Sequence, residues 1–393
     1  MKKNIFSISH ISAGFSAVLV GYTSSVIIVI QAASAAGATA AQTTSWLLVL
    51  GVAMGISSML FSWIYKAPIL TAWSTPGAAM LIGVVGDYQL SVVIGAFILS
   101  ALMIMLTGLI APICRMLEKI PSQLATAMLA AILLPFCLKA FTPIMVDPLF
   151  FICMFSAFIL AKRLFPRYAM LILLIVGVVC SIVSGAFSDQ VISTALAKPV
   201  WIMPTFDLMA AVNLSLPLYI ITMLSQNLPG FAMLKSHGYS IPVKPVLIGT
   251  GLTNFLFASF GCFSVNLAAI SAAICMNKEV DNNPAQRYRA AMWAGRFYLV
   301  AGLWGTAVVA LFLALPSSVS HILAGLALLG TLSMCLQSAF ETPEYSESAL
   351  LTFLISLSGI SLFGIDGTLW GLIMGLVHFQ FMKNNGFSLF KKR

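Results

Sequence analysis

Thr71-Ala72-Trp73-Ser74-Thr75-Pro76-Gly77 interrupts an apolar region that runs from about Pro68 to Val85. Pro76 donates no backbone hydrogen bond and biases Thr75 towards extended backbone. The stretch therefore reads as a short extended piece over Ala72–Thr75, followed by a half-helix from Pro76. At membrane depth, irregular backbone is tolerated only where protein buries it or where it lines a cavity. The N-terminus of a half-helix would turn unpaired N–H groups and a positive dipole end towards that cavity. The competing reading is a proline-kinked helix with no ligand.

Composition decides the setting. The chain has 393 residues, 60% hydrophobic and 8% charged, against about 25% charged in soluble domains; its mean hydropathy is +1.03. This is a polytopic, all-α membrane protein whose surroundings are the lipid bilayer, with room for roughly 12 to 14 spans. The net charge of +9 reports orientation in such a protein and does not point to nucleic acid. Cys114, Cys137, Cys153, Cys180, Cys262, Cys275 and Cys335 are scattered without a CxxC pair, and the four histidines are dispersed. Neither set suggests a metal or another cofactor. Lys2 and Lys3 before an apolar run, with Ala33-Ser34-Ala35 after it, imitate a signal peptide. The run from Ile11 to Ala33 is longer than a typical h-region, however, and reads as a retained first span.

Apolar segments fall near 11–35, 43–64, 68–85, 90–112, 121–141, 145–162 and 168–187. After a more polar connector they resume at 210–232, 245–260, 264–277, 288–314, 319–339, 347–363 and 366–383. With the N-terminus cytoplasmic and strict alternation, Lys2, Lys3, Lys66, Arg115, Lys119, Lys162, Arg163, Arg167 and Lys235 fall inside. So do Lys244, Lys278, Arg287, Arg289, Lys383, Lys391, Lys392 and Arg393. Outside fall Lys139 and Lys198, with Arg296 near the start of a span. The bias predicts fourteen crossings with both termini cytoplasmic.

The two halves echo each other. Ile120-Pro121-Ser122 opens the fifth segment and Leu315-Pro316-Ser317 the twelfth, and the runs that follow match at a constant offset near half the chain. Seven segments per half is an odd number, so the second half enters the membrane inverted, a pattern typical of transporters. The predicted division is residues 1–187 (first repeat), 188–209 (connector) and 210–393 (second repeat). Moving Thr71–Gly77 forward by a similar offset lands near Gly261-Cys262-Phe263-Ser264-Val265-Asn266, a second interrupted stretch ahead of a short helical run, Leu267 to Cys275. Paired interruptions point to a transport site. Ser225-Gln226-Asn227 places amides inside an apolar helix, where they need partners. Gly21-Tyr22-Thr23-Ser24-Ser25 is the counterpart in the first segment, although small residues also serve helix packing.

Residues 68–79 (PILTAWSTPGAA), 225–230 (SQNLPG), 238–243 (GYSIPV) and 268–275 (AAISAAIC) resemble the benzoate transporter family, bacterial inner-membrane benzoate:proton symporters. The resemblance runs over nearly the whole chain. That family is similar in architecture to uracil, nucleobase–ascorbate and sulfate-type anion transporters. The resemblance implies a core domain of segments 1–4 and 8–11, a gate domain of 5–7 and 12–14, short strands in segments 3 and 10, and a homodimer. It also places substrate contacts on Trp73, Ser74, Thr75, Gln226 or Asn227, Ser264 and Asn266; the first-segment counterpart adds Tyr22 and Ser25 as residues expected to face the same cavity. Uracil-type relatives carry acidic residues in the eighth and tenth segments, where this chain has Ser-Gln-Asn and Ser-Val-Asn; that speaks against a nucleobase.

The expected substrate is benzoate or a similar aromatic carboxylate, taken up with a proton. Half-helix N–H groups and hydroxyls suit a carboxylate, and Trp73, Tyr22 or Phe263 suits the ring. No Asp or Glu lies well inside a segment, which leaves His321 or Asp366 as proton carriers, the substrate itself, or uncoupled transport. The alternatives are a carrier or channel for another small anion such as sulfate or bicarbonate, or for a nucleobase, and, more remotely, a membrane-embedded enzyme. An enzyme would need a nucleophile–base pair or a metal cluster that the segments lack. A sensing receptor would need an output domain, for which Ser188–Asp207 and Asn277–Arg287 are too short.

Overall fold

The computed structural model describes residues 7–110, 112, 120–188 and 195–385. Lys2, Lys3, Cys114, Arg115, Lys119, Asp189, Lys391, Lys392 and Arg393 lie outside the described residues, as do the side chains of Arg167 and Lys383.

Each predicted segment falls on a helix or on a strand followed by a short helix. The first half comprises α1 (Ile8–Ala35), α2 (Ala40–Tyr65), β1 (Thr71–Trp73), α3 (Thr75–Val84), α4 (Leu90–Leu109), α5 (Ser122–Lys139), α6 (Pro148–Leu164) and α7 (Ala169–Val183). The second half opens with α8 (Leu208–Ser236) and α9 (Val243–Phe257), then β2 (Val265–Leu267) and α10 (Ala269–Met276). It closes with α11 (Tyr288–Leu303), α12 (Gly305–Ala314), α13 (Ser317–Phe340), α14 (Pro343–Leu357), the hairpin β3 (Ser361–Leu362) and β4 (Ile365–Asp366), and α15 (Gly367–Asn385). Among the described residues, seven helical stretches are long and apolar enough to cross a membrane unaided. They are α1, α2, α4, α5 with its extension to Met145, α8, α9 with its extension to Phe260, and α13. The pair α11–α12, bent by 59°, makes an eighth if counted as one. Fewer helices thus meet the length requirement than the fourteen crossings read from the sequence, because α3, α6, α7, α10, α14 and the apolar part of α15 are short.

At the centre, β1 and β2 pair antiparallel, with Thr71 opposite Leu267, Ala72 opposite Asn266 and Trp73 opposite Val265. The pairing continues at both ends: Ser74 N–H donates to the Ser264 carbonyl (3.1 Å) and Ala268 N–H to that of Leu70 (2.9 Å). A two-stranded ribbon exposes two edges, and at membrane depth each edge group needs a partner. Helix side chains supply them. Ser58 Oγ accepts from Thr71 N–H (2.9 Å) and Met54 Sδ from Trp73 N–H (3.0 Å). Asn254 accepts from Val265 N–H (2.6 Å) and donates to its carbonyl (2.9 Å). Asn227 Oδ1 accepts from Leu267 N–H (3.1 Å).

The break in the first half lies one residue earlier than read from the sequence. Ser74, not Thr75, ends the extended piece, because its Oγ caps α3 by accepting from Gly77 N–H (3.0 Å). Pro76 sits in the first turn, where a missing N–H costs nothing. In the second half the strand occupies Val265–Leu267 rather than the Gly261–Ser264 punctuation, and Ala268 is the N-cap of α10. Gly261 instead closes the turn after α9 at φ +104°, directly beneath the Trp46 indole, where no Cβ would fit.

Helix α8 is not regular. Ala211–Ser215 and Met223–Asn227 each form a π-turn. Each ends shortly before a proline, Pro217 or Pro229. A proline ring removes one i→i−4 bond and crowds the preceding turn, which a wider turn relieves. Close helix crossings rest on glycine: Gly51 of α2 lies against Gly302 of α11, and Gly55 against Gly295, the small-residue packing expected between membrane helices.

Candidate functional site

A cavity of about 440 Å³ lies between α1, β1–α3, α5, α8, α10, α11 and α13, within the range of ~300–1,000 Å³ usual for small-molecule sites. Both half-helices begin at its wall, represented by Thr75 and Pro76 on one side and Ala268 and Ser271 on the other. The antiparallel ribbon turns the two N-termini inward, so two positive dipole ends share one space. Ser74 occupies the N–H of Gly77 and the Ser74 carbonyl that of Ala78. Thr75 N–H and Oγ1 and Ser271 N–H and Oγ have no partner among the described residues. No lining residue carries a charge.

Four of the sequence-predicted residues line this cavity: Ser25, Trp73, Thr75 and Gln226. Trp73 is fixed by its surroundings. Its indole N–H donates to Ser25 Oγ (2.8 Å), Ser25 Oγ donates to the Gly21 carbonyl (2.8 Å), and the Tyr22 ring packs at 5.1 Å. Gln226 sits on the second π-turn of α8, and its side-chain amide has no partner among the described residues. A half-buried amide facing a cavity is free to donate to a ligand.

The remaining candidates stand behind the wall. Ser74 is fully buried as the cap of α3. Asn227, adjacent to Gln226 but fully buried, completes the edge of β2. Ser264 Oγ pairs with Thr222 Oγ1 (3.0 Å). Asn266 is 1% exposed and sits in the ribbon opposite Ala72; with its amide turned, it accepts from Ser74 N–H at 3.1 Å. The Tyr22 hydroxyl is buried without a partner among the described residues, behind Trp73. Phe263 is buried against Trp46 and Phe97. The proton-carrier candidates lie elsewhere. His321 faces a smaller cavity near the other end of α13. Asp366 accepts from Thr368 N–H (2.8 Å) in the β3–β4 hairpin, and its own N–H donates to Asn213 Oδ1 (3.1 Å).

The sequence reading missed the opposite wall. Ser122, Thr126 and Leu129 of α5, with Ala327, Thr331, Met334 and Ser338 of α13, close the cavity. These positions recur every three or four residues and so share one helix face. The signal was present in the hydroxyl spacing of the two echoing helices, although polar residues spaced in this way also serve packing. Tyr298 of α11 was likewise missed.

The comparisons with known proteins agree on family and fold. The profile of the family described as "Benzoate membrane transport protein" matches residues 4–381. The chain is 44% identical over 368 residues to "Inner membrane protein YdcO" of Escherichia coli (strain K12), covering 92% of this chain and 93% of that protein. It is 34% identical over 375 residues to "Benzoate membrane transport protein" of Acinetobacter baylyi (strain ATCC 33305 / BD413 / ADP1), covering 95% of each. Among solved structures, SLC26A9 matches with a TM-score of 0.65 at 12% identity over 96% of this chain, which spans 65% of that protein's chain. The transmembrane domain of a cyanobacterium bicarbonate transporter, BicA, matches with a TM-score of 0.62 at 14% identity, over 94% of this chain and 97% of that one. These low-identity likenesses establish a shared multi-span helical fold.

Proposed function

Since the chain belongs to the benzoate membrane transport protein family, we propose that it carries benzoate or a similar aromatic carboxylate across the bacterial inner membrane, with proton symport. Family membership implies a non-enzymatic role. The observation that carries the reading is the cavity wall itself: two half-helix N-termini, free Gln226, Thr75 and Ser271 donors, and the aromatic side chains of Trp73 and Tyr298, with no charged side chain. A single carboxylate can be held by charge-assisted hydrogen bonds and helix ends without a counter-cation. A divalent oxyanion would lack compensation there, since desolvating its second charge is costly. Trp73 supplies the surface for a ring.

In this reading the two repeats, residues 1–187 and 210–393, form a core of the first four and the eighth to eleventh segments, and a gate of the others. The cavity lies between the two, so a relative movement of core and gate would expose it alternately to each side, with both termini cytoplasmic. The protein works as a homodimer. Of the two proton carriers, the proposal keeps His321, which faces a cavity, and sets aside Asp366, whose carboxylate accepts from Thr368 N–H at the start of α15.

Uptake of radiolabelled benzoate into proteoliposomes, with and without an inward proton gradient at constant potential, tests both parts. Saturable accumulation above equilibrium only with the gradient supports symport. Saturable uptake indifferent to the gradient retains the carrier and removes the coupling. Absence of saturable uptake overturns the substrate. Bicarbonate is the second reading, on the strength of the fold shared with a bicarbonate transporter; competition by bicarbonate but not by benzoate analogues would favour it.

A further inference from the structure

A second cavity, of about 270 Å³, lies between α1, α3, α5 and α13. Helices α5 and α13 run antiparallel: Gln123 Nε2 donates to Thr342 Oγ1 (3.4 Å) at one end, and Gly325 packs on Ala140 at the other. The larger cavity takes Ser122 and Ser338 from one end of this pair. The smaller takes Phe136, Lys139 and His321 from the other. The two cavities therefore lie along the same helix pair at opposite ends. Between them α1 contributes Val26 to Ile30, all buried, and α5 and α13 contribute Ala130, Leu133 and Leu326.

The smaller cavity differs from the larger in charge. Lys139 and His321 both line it, and Asp and Glu are absent from its lining. Lys139 Nζ stands over the Phe136 ring at 6.0 Å and has no carboxylate partner among the described residues. A lysine at a helix end commonly snorkels to the interface. This one is exposed at its helix end and also lines the cavity that His321 faces. Lys139 is the one permanent charge among the lining residues, and a cleft with one sign of charge concentrates counter-ions and raises capture rates by ~10–10³.

We infer that the smaller cavity is an anion-capture vestibule on the far side of the apolar layer, in which Lys139 and His321 hold the carboxylate of an arriving aromatic acid beside the Phe136 ring. The identity of the acid rests on the function proposed above; the vestibule's preference for anions does not.

The test places a cysteine in the lining with Ser34→Cys and compares an anionic with a cationic methanethiosulfonate reagent on the purified full chain. Rates are normalised to a free thiol and read peptide by peptide by mass spectrometry, so native cysteines are scored separately. The expected ratio favours the anionic reagent by about tenfold. It should fall towards one when Lys139→Gln is added, and stay high with Lys139→Arg, which also controls for folding. A ratio at or below one, or a ratio indifferent to Lys139→Gln, overturns the vestibule. Benzoate should slow the labelling; protection by chloride but not benzoate overturns the aromatic acid as its ligand. In proteoliposomes, Lys139→Gln should raise KM for benzoate several-fold with kcat unchanged, and an unchanged KM contradicts a capture role. Failure of the wild type to carry benzoate would overturn the proposed substrate, while the reagent ratio still reports on the vestibule.

Discussion

Gln226 and Asn227 are neighbours in sequence and opposite in role, and truncating each to alanine separates binding from scaffolding. The Gln226 amide faces the cavity without a partner among the described residues, so its removal leaves no buried protein group unpaired. A hydrogen bond to a charged group contributes ~1.5–3 kcal/mol. Gln226→Ala should therefore raise the benzoate KM by about 10- to 150-fold at ~1.4 kcal/mol per decade, with thermal stability preserved. Asn227 Oδ1 instead accepts from Leu267 N–H at 3.1 Å, and the residue is fully buried. Asn227→Ala orphans that N–H on the edge of β2, at a cost of ~1–3 kcal/mol. The loss should appear as a lower Tm and poorer recovery after detergent extraction, before any effect on affinity. Uptake kinetics in proteoliposomes and a thermal-shift curve for each variant form the assay. Equal Tm losses in both variants, or wild-type KM in Gln226→Ala, would refute the assignment of the two side chains.

Three further outcomes follow from the geometry. Gly261→Ala combines a left-handed backbone, costing roughly 1–2 kcal/mol for a residue with Cβ, with a clash against Trp46 worth roughly 1–3 kcal/mol; size-exclusion yield and Tm should drop together, and a wild-type Tm would contradict this. Asn213 donates to Tyr88 Oη (3.1 Å) and to the Gly364 carbonyl (2.6 Å) and accepts from Asp366 N–H. At ~0.5–1.5 kcal/mol per bond, Asn213→Ala should speed limited proteolysis near Gly364 by at least several-fold; an unchanged rate would show that the hairpin is held by other contacts. Asp366→Asn should leave gradient-driven accumulation intact, because its carboxylate serves the start of α15; lost accumulation with intact exchange would return Asp366 to the proton path.

Much of this architecture was legible because proline, serine and glycine have few uses at membrane depth. Thr71–Gly77 announced a break, and the register of β1 against β2 joins it to the break predicted in the second half. The strand position in that second break was not legible. Gly261 and Ser264 looked like the interruption, whereas the strand groups are partnered by Asn254 and Asn227, side chains distant in sequence. Ser57 and Ser58 were not singled out by the sequence, because their bonds to Thr71 become visible only once β1 lies against α2. Polarity alone likewise could not separate Gln226 from Asn227. A π-turn rotates the first towards the cavity while the second stays with the ribbon, and that turn answers to Pro229, not to either amide. On the opposite wall, Ser122 and Thr126 belong to a helix with little contrast between its faces, so hydrophobic periodicity gave no direction there.

The most direct test of an aromatic-carboxylate site between the two half-helices is counterflow, which needs no proton gradient and no assumption about coupling. Proteoliposomes loaded with unlabelled benzoate are diluted into a trace of labelled benzoate. A transient overshoot of label inside, absent when the vesicles are loaded with sulfate or bicarbonate and lost in Gln226→Ala at the same tracer concentration, is the predicted result. No overshoot with benzoate, or an equal one with sulfate, would contradict the account.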